Sequence, residues 1–204
     1  MGVRFLVLVG LTAVAASCGA KPTVAPPPPR QPVVDHSIWR GNPTTPFHAP
    51  SFVLPDQTGR PTGIATEQGK VVLLTFLYTR CPDACPLIAS RLAVVLRLLG
   101  PQARAHVRIL AVSVDPERDT HSAVEQFIHE HRLGPQFRYL VASKQRLKPV
   151  WQAYNVLAAP RNAQVIDHSA STTLIDRRGF VRAYFPPAAS SLDIAHDVRH
   201  ALSG

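Results

Sequence analysis

Cysteine is scarce in this chain. Among 204 residues there are three, Cys18, Cys81 and Cys85, so sulfur chemistry has few places to occur. Acidic residues are also few, 13 against 22 Lys and Arg, which leaves a net charge of +9. Such an excess raises nucleic acid as a partner, but the chain has no Arg/Lys run with interleaved aromatics, which argues against it. An anionic membrane surface or an acidic partner face is the expected consequence, with an ordinary solvated surface as the plain alternative. There is no internal repeat.

What is present begins with a targeting segment. Residues 1–4 carry one positive charge, residues 5–16 are almost wholly apolar, and Ala15-Ala16-Ser17 supplies small residues before Cys18. The apolar run falls short of the roughly 20 residues that span a bilayer, and the anatomy is that of a secretory signal. Small residues ending at a cysteine and followed by Gly19 resemble a bacterial lipoprotein signal. Residues 1–17 are then removed and Cys18 is lipidated; an ordinary cleaved signal is the alternative. Residues 18–46 form a Pro-rich tether, with Pro22, Pro26, Pro27, Pro28, Pro29 and Pro32, since proline-rich chain is stiff, extended and poor at packing. Residues 47–204 form one domain. The exported protein keeps only Cys81 and Cys85.

From residue 47 onward the pattern alternates strand and helix. Residues 71–78 (VVLLTFLY) are a continuous apolar run, as expected of a strand buried on both faces of a parallel sheet. Residues 87–99 read as a largely buried helix ended by Gly100-Pro101, with Pro86 in its first turn. Residues 107–114 read as a second buried strand and residues 120–132 as an amphipathic helix. A short strand near 139–141, a helix near 144–155, a hairpin around Asp176-Arg177-Arg178-Gly179 and a closing helix from Ser190 follow. The fold class is α/β, a central mixed sheet flanked by helices.

Cys81 and Cys85 fall on the turn between the first strand and its helix, in Arg80-Cys81-Pro82-Asp83-Ala84-Cys85-Pro86. At a helix start, positions i and i+4 face the same side, so two sulfurs can converge on a soft metal ion or close on each other. In an oxidising compartment a structural disulfide is the default, but a bridge enclosing so few residues gains little from loop closure. The helix dipole and Arg80 both favour thiolate, which points to reactivity.

A cysteine turn in this place resembles the thioredoxin superfamily, whose dithiol oxidoreductases have two residues between their cysteines, whereas this chain has three. Where that superfamily carries a proline before the penultimate strand, this chain has Ser171, with His168 three residues upstream. Residues 78–86 (YTRCPDACP), 114–120 (VDPERDT) and 166–169 (IDHS) together are similar to the Sco/SenC family of copper proteins for cytochrome c oxidase assembly. The resemblance spans about residues 47–202 and implies a thioredoxin-like fold, a membrane anchor, and copper held by Cys81, Cys85 and His168. His121 departs from the family's usual proline, which puts the local helix start in question.

The residue chemistry agrees with that implication. Two thiolates and one imidazole suit Cu(I), and the same set with room for a weak fourth ligand accepts Cu(II). Zinc is the rival, but its structural sites want four protein ligands. Asp167 is a candidate to orient His168. Asp119 is expected to cap the next helix, Asp115 is not expected to be catalytic, and Asp83 is either a turn-former or a charge facing a partner. Two functions follow: delivery of copper to the CuA site of an oxidase subunit or another copper protein, or a thiol-disulfide oxidoreductase using a reversible Cys81–Cys85 disulfide on such a partner's cysteines. Either role places the domain outside a bacterial membrane, held by lipid at Cys18, with no nucleic acid partner.

Overall fold

A computed structural model describes residues 38–156, 159–160, 166–167 and 170–204. The chain enters with strand β1 (Asn42–His48), so residues 42–46, expected in the Pro-rich tether, belong to the sheet, and two short strands follow, β2 (Leu54–Pro55) and β3 (Pro61–Thr62). There follow β4 (Val71–Leu77), α1 (Ala84–Ala105), β5 (Val107–Ser113), α2 (His121–Glu130), β6 (Phe137–Leu140) and α3 (Lys144–Ala153). Two short strands, β7 (Ala159–Pro160) and β8 (Ile166–Asp167), precede β9 (Thr172–Ile175), β10 (Phe180–Phe185) and α4 (Ser191–Ser203).

Every residue of β4 is buried, because helices cover both faces of the central sheet and leave no side for a polar stripe. The sheet order is β1-β10-β9-β4-β5-β6. β4, β5 and β6 run parallel, while β9 is antiparallel to β4 and β10 to β9. This is the mixed, helix-flanked sheet that the residue pattern predicts. The carboxyl ends of β4 and β5 share one end of the sheet with the start of β9, the place where open α/β sheets hold their ligands.

α1 begins where Asp83 accepts the Ala84 amide, and Pro86 sits in the first turn, where a missing N–H costs nothing. Gly100, at φ 74°, breaks it, and a further turn runs from Pro101 to Ala105. Leucines and alanines on its inner face are part of the core, so its apolar composition serves packing. Asp197 of α4, wholly buried, accepts the amides of Arg40 and Gly41 at 2.8–3.0 Å and ties the start of the domain to its last helix. Ser190 caps α4 by accepting the Asp193 amide at 3.1 Å, as its spacing predicts.

Gly63 is held by space: a Cβ there would meet the Phe52 carbonyl oxygen at 2.1 Å. Gly63→Ala is expected to cost about 2–3 kcal/mol in urea unfolding; an unchanged midpoint would mean that the Phe52 segment yields freely.

Candidate metal centre

The cysteine turn hangs from the carboxyl end of β4. The Cys81 amide donates to the Tyr78 carbonyl at 3.3 Å, and Asp83 caps α1, so the turn-forming reading of Asp83 holds. The i,i+4 spacing does what helix geometry requires: the Cys85 amide donates to the Cys81 sulfur at 3.3 Å. The two sulfurs are not joined by a disulfide.

Both cysteines are buried. Cys81 is 7 % exposed and Cys85 0 %, so the pair is not openly solvated. Burial pushes the Cys85 thiol far up, and the neighbouring Cys81 sulfur adds to this. The helix dipole and Arg80 do not overcome desolvation at Cys85. A thiol so held keeps its proton unless a positive charge comes to it, and a soft cation would supply that charge in the proton's place.

Asp119 is corrected in role. Thr120, not Asp119, caps α2, accepting the Ala123 amide at 3.3 Å. Asp119 is 2 % exposed and acts as a cross-link. Its Oδ1 accepts from the Thr79 amide and the Thr79 hydroxyl, both at 2.8 Å; its Oδ2 accepts from the Ser113 hydroxyl at 2.6 Å and the Tyr139 hydroxyl at 3.1 Å. One carboxylate thus joins the cysteine turn to β5 and β6. The Asp115 carboxylate pairs with Arg118 and its backbone carbonyl accepts the Asp119 amide at 2.9 Å, which shapes the loop after β5. Trp151 of α3 donates to the Ser113 carbonyl at 2.9 Å. Sequence reading missed Ser113, Tyr139 and Trp151. The signal for Ser113 was available, because a hydroxyl in an otherwise apolar, doubly covered strand must find a partner.

On the other flank, the Thr75 hydroxyl donates to the Ser171 carbonyl at 3.2 Å. Ser171 stands where thioredoxin-type proteins carry proline, and it fixes the start of β9 beside the end of β4. His168, three residues earlier, and Cys18 lie outside the described residues, as do the signal and residues 18–37. His121 opens α2 without disturbing it and faces Glu125 at 3.2 Å. His196 contacts Asp197 at 3.0 Å, and His200 packs edge-on against Trp39. Among the described residues no group of three His, Cys, Asp or Glu side chains converges, so Cys81 and Cys85 are the soft donors available. Two sulfurs in an apolar frame fit a soft, low-coordinate ion better than zinc or a hard cation.

A sequence profile of the SCO1/SenC family matches residues 41–203. The chain belongs to the SCO1/SenC family. It is 32% identical over 158 residues to the mitochondrial SCO2 homolog of Bos taurus, covering 74% of this chain and 59% of that protein. It is 28% identical over 156 residues to a SCO2-like protein of Rickettsia typhi, covering 74% of this chain and 75% of that one. Among solved structures, copper-bound ScoI of Bradyrhizobium japonicum superposes with a TM-score of 0.67 at 29% identity, covering 76% of this chain and all of that one. The chain therefore spans less than two thirds of its bovine relative, while the solved bacterial domain is covered in full.

Asp119 carries a prediction. Burial outweighs its hydrogen bonds and raises its carboxyl above the ordinary value. A raised folded pKa gives stability that is full below the unfolded pKa of about 3.9 and lost as pH rises through the folded value. Asp119→Asn keeps an oxygen for Thr79 and can donate to the Ser113 and Tyr139 hydroxyls, so its stability relative to the parent should grow from about pH 4 to pH 7. Asp119→Ala strands those donors and should cost at least about 2 kcal/mol at any pH. Urea unfolding across pH checks both, and parallel curves for parent and Asn variant would refute the first.

Proposed function

We propose that this protein is a copper-binding assembly factor that takes one copper ion on Cys81, Cys85 and His168 and passes it to the CuA site of a cytochrome c oxidase subunit. The observation that carries this is the pair of buried sulfurs converging at the carboxyl end of β4 in a chain of the SCO1/SenC family. The copper in its Bradyrhizobium japonicum relative supports the same cargo. Ser171, tied to Thr75, begins β9 beside the end of β4, and His168 stands three residues before it in the sequence.

Copper is the cargo. The Cys85 amide at the Cys81 sulfur and the helix start favour negative charge on Cys81. The buried Cys85 keeps its proton until a cation arrives, so metal uptake releases protons. Low coordination leaves the ion open to an incoming thiolate, and transfer is an exchange of ligands between two soft sites. The same cysteines close reversibly as a disulfide, which removes both donors. Lipid at Cys18 and the Pro-rich segment hold the domain at a bacterial membrane.

Reduced full-length protein is expected to bind one copper, and Cys81→Ala with Cys85→Ala to bind none. His168→Ala should weaken Cu(II) more than Cu(I), since imidazole is the harder donor. Oxidised protein should take up no copper until it is reduced. Spectroscopic titration with a thiol count checks these, and stoichiometry that survives loss of both cysteines would end the proposal.

In cells, loss of the protein should lower CuA-oxidase activity most when copper is scarce, with recovery on added copper. Recovery with a small thiol reductant but not with copper would instead assign the protein to thiol-disulfide exchange.

A further inference from the structure

The end of the sheet opposite the cysteine turn is strongly basic. Lys70 stands just before β4, Arg104 on the last turn of α1 ahead of β5, Arg132 in the loop before β6, and Arg177 and Arg178 in the β9–β10 turn. Strand directions bring all of them to the end where β4, β5 and β6 begin. Arg97, Arg104 and Arg132 line one cavity of about 230 Å³ floored by Ala93, Leu96 and Gly134. Arg108 bridges this region to the neighbouring one, pairing with Glu67 at 3.0 Å and donating to the Pro135 carbonyl at 3.0 Å.

Carboxylates neutralise this pole only in part, at Lys70 and Arg108. Glu67 is taken by Lys70 and Arg108 and Asp176 faces Arg182 at 3.4 Å, while Glu130 accepts from the neutral Gln126 amide and keeps its charge. Arg97, Arg104 and Arg132 face no carboxylate among the described residues. Arg132 also holds φ 51°, just past the end of α2, a left-handed position that favours glycine. The cysteine end carries Asp83, Asp115, Glu117 and Asp119 beside Arg80 and Arg118, so acidic groups outnumber basic ones there.

We propose that the basic pole docks on an anionic phospholipid surface, with headgroup phosphates entering the cavity formed by Arg97, Arg104 and Arg132. The planar guanidinium matches a phosphate with two parallel hydrogen bonds. Docking this way turns the cysteine turn away from the bilayer, toward the aqueous domain of an acceptor. The inference rests on the reading that lipid at Cys18 keeps the domain at a membrane. Residues 18–39 span about 65 Å when extended, more than the roughly 40 Å breadth of such a domain, so the tether permits this orientation and charge selects it.

Full-length lipidated protein in nanodiscs of phosphatidylcholine, with and without phosphatidylglycerol, tests this by hydrogen–deuterium exchange. Amides of 97–106 and 131–136 should exchange about fivefold or more slowly on the anionic discs, the factor expected from one cation at such a surface. High salt should erase the difference, and so should Arg97→Gln with Arg104→Gln and Arg132→Gln. Equal exchange on both discs overturns the proposal. Protection that appears only when an acidic acceptor domain is added also overturns it, assigning the pole to a protein. The triple variant should still bind one copper; failure of copper binding in parent and variant alike would count against the proposed function and leave the membrane result standing.

Discussion

One buried carboxylate holds the site in place. Asp119 receives hydrogen bonds from the cysteine turn, from the end of β5 and from β6, so three chain segments distant in sequence meet on two oxygen atoms. A buried carboxylate is costly unless its lone pairs are taken, and here all four donors are supplied by the protein. Without that knot, the turn bearing Cys81 would rest only on its own short hydrogen bonds and on the Asp83 cap. The sulfurs owe their convergence to helix geometry, and the position of that helix start to Asp119.

The same enclosure decides the chemistry of the sulfurs. Burial opposes a bare thiolate at Cys85 and so holds back reactions that begin with one, yet it favours a cation that can replace the proton. A site of this kind suits a soft metal, and the proposed transfer would need only a second soft donor.

Charge is divided along the sheet axis. Carboxylates outnumber basic groups beside the cysteines at the carboxyl ends of β4 and β5, and arginines with no carboxylate partner among the described residues gather at the opposite end. The parallel β4, β5 and β6 make this possible, because every loop entering them lies at one pole and every loop leaving them at the other.

Much of this was legible in the residues. Continuous apolar runs marked β4 and β5, Gly100-Pro101 marked the break in α1, and Ser190 marked the start of α4, because each depends on local rules of burial, backbone freedom or capping. The cysteine spacing determined that two sulfurs could meet, since i and i+4 share a helix face whatever surrounds them. Local rules could not show that Cys85 is sealed from water, that Asp119 leaves the capping of α2 to Thr120 in order to bind Thr79, Ser113 and Tyr139, or that residues 42–46 join the sheet. Nor could they gather Arg97, Arg104 and Arg132 into one cavity. Those facts rest on contacts between residues far apart in the chain, and desolvation and shared hydrogen bonds arise only when the strands have been brought side by side.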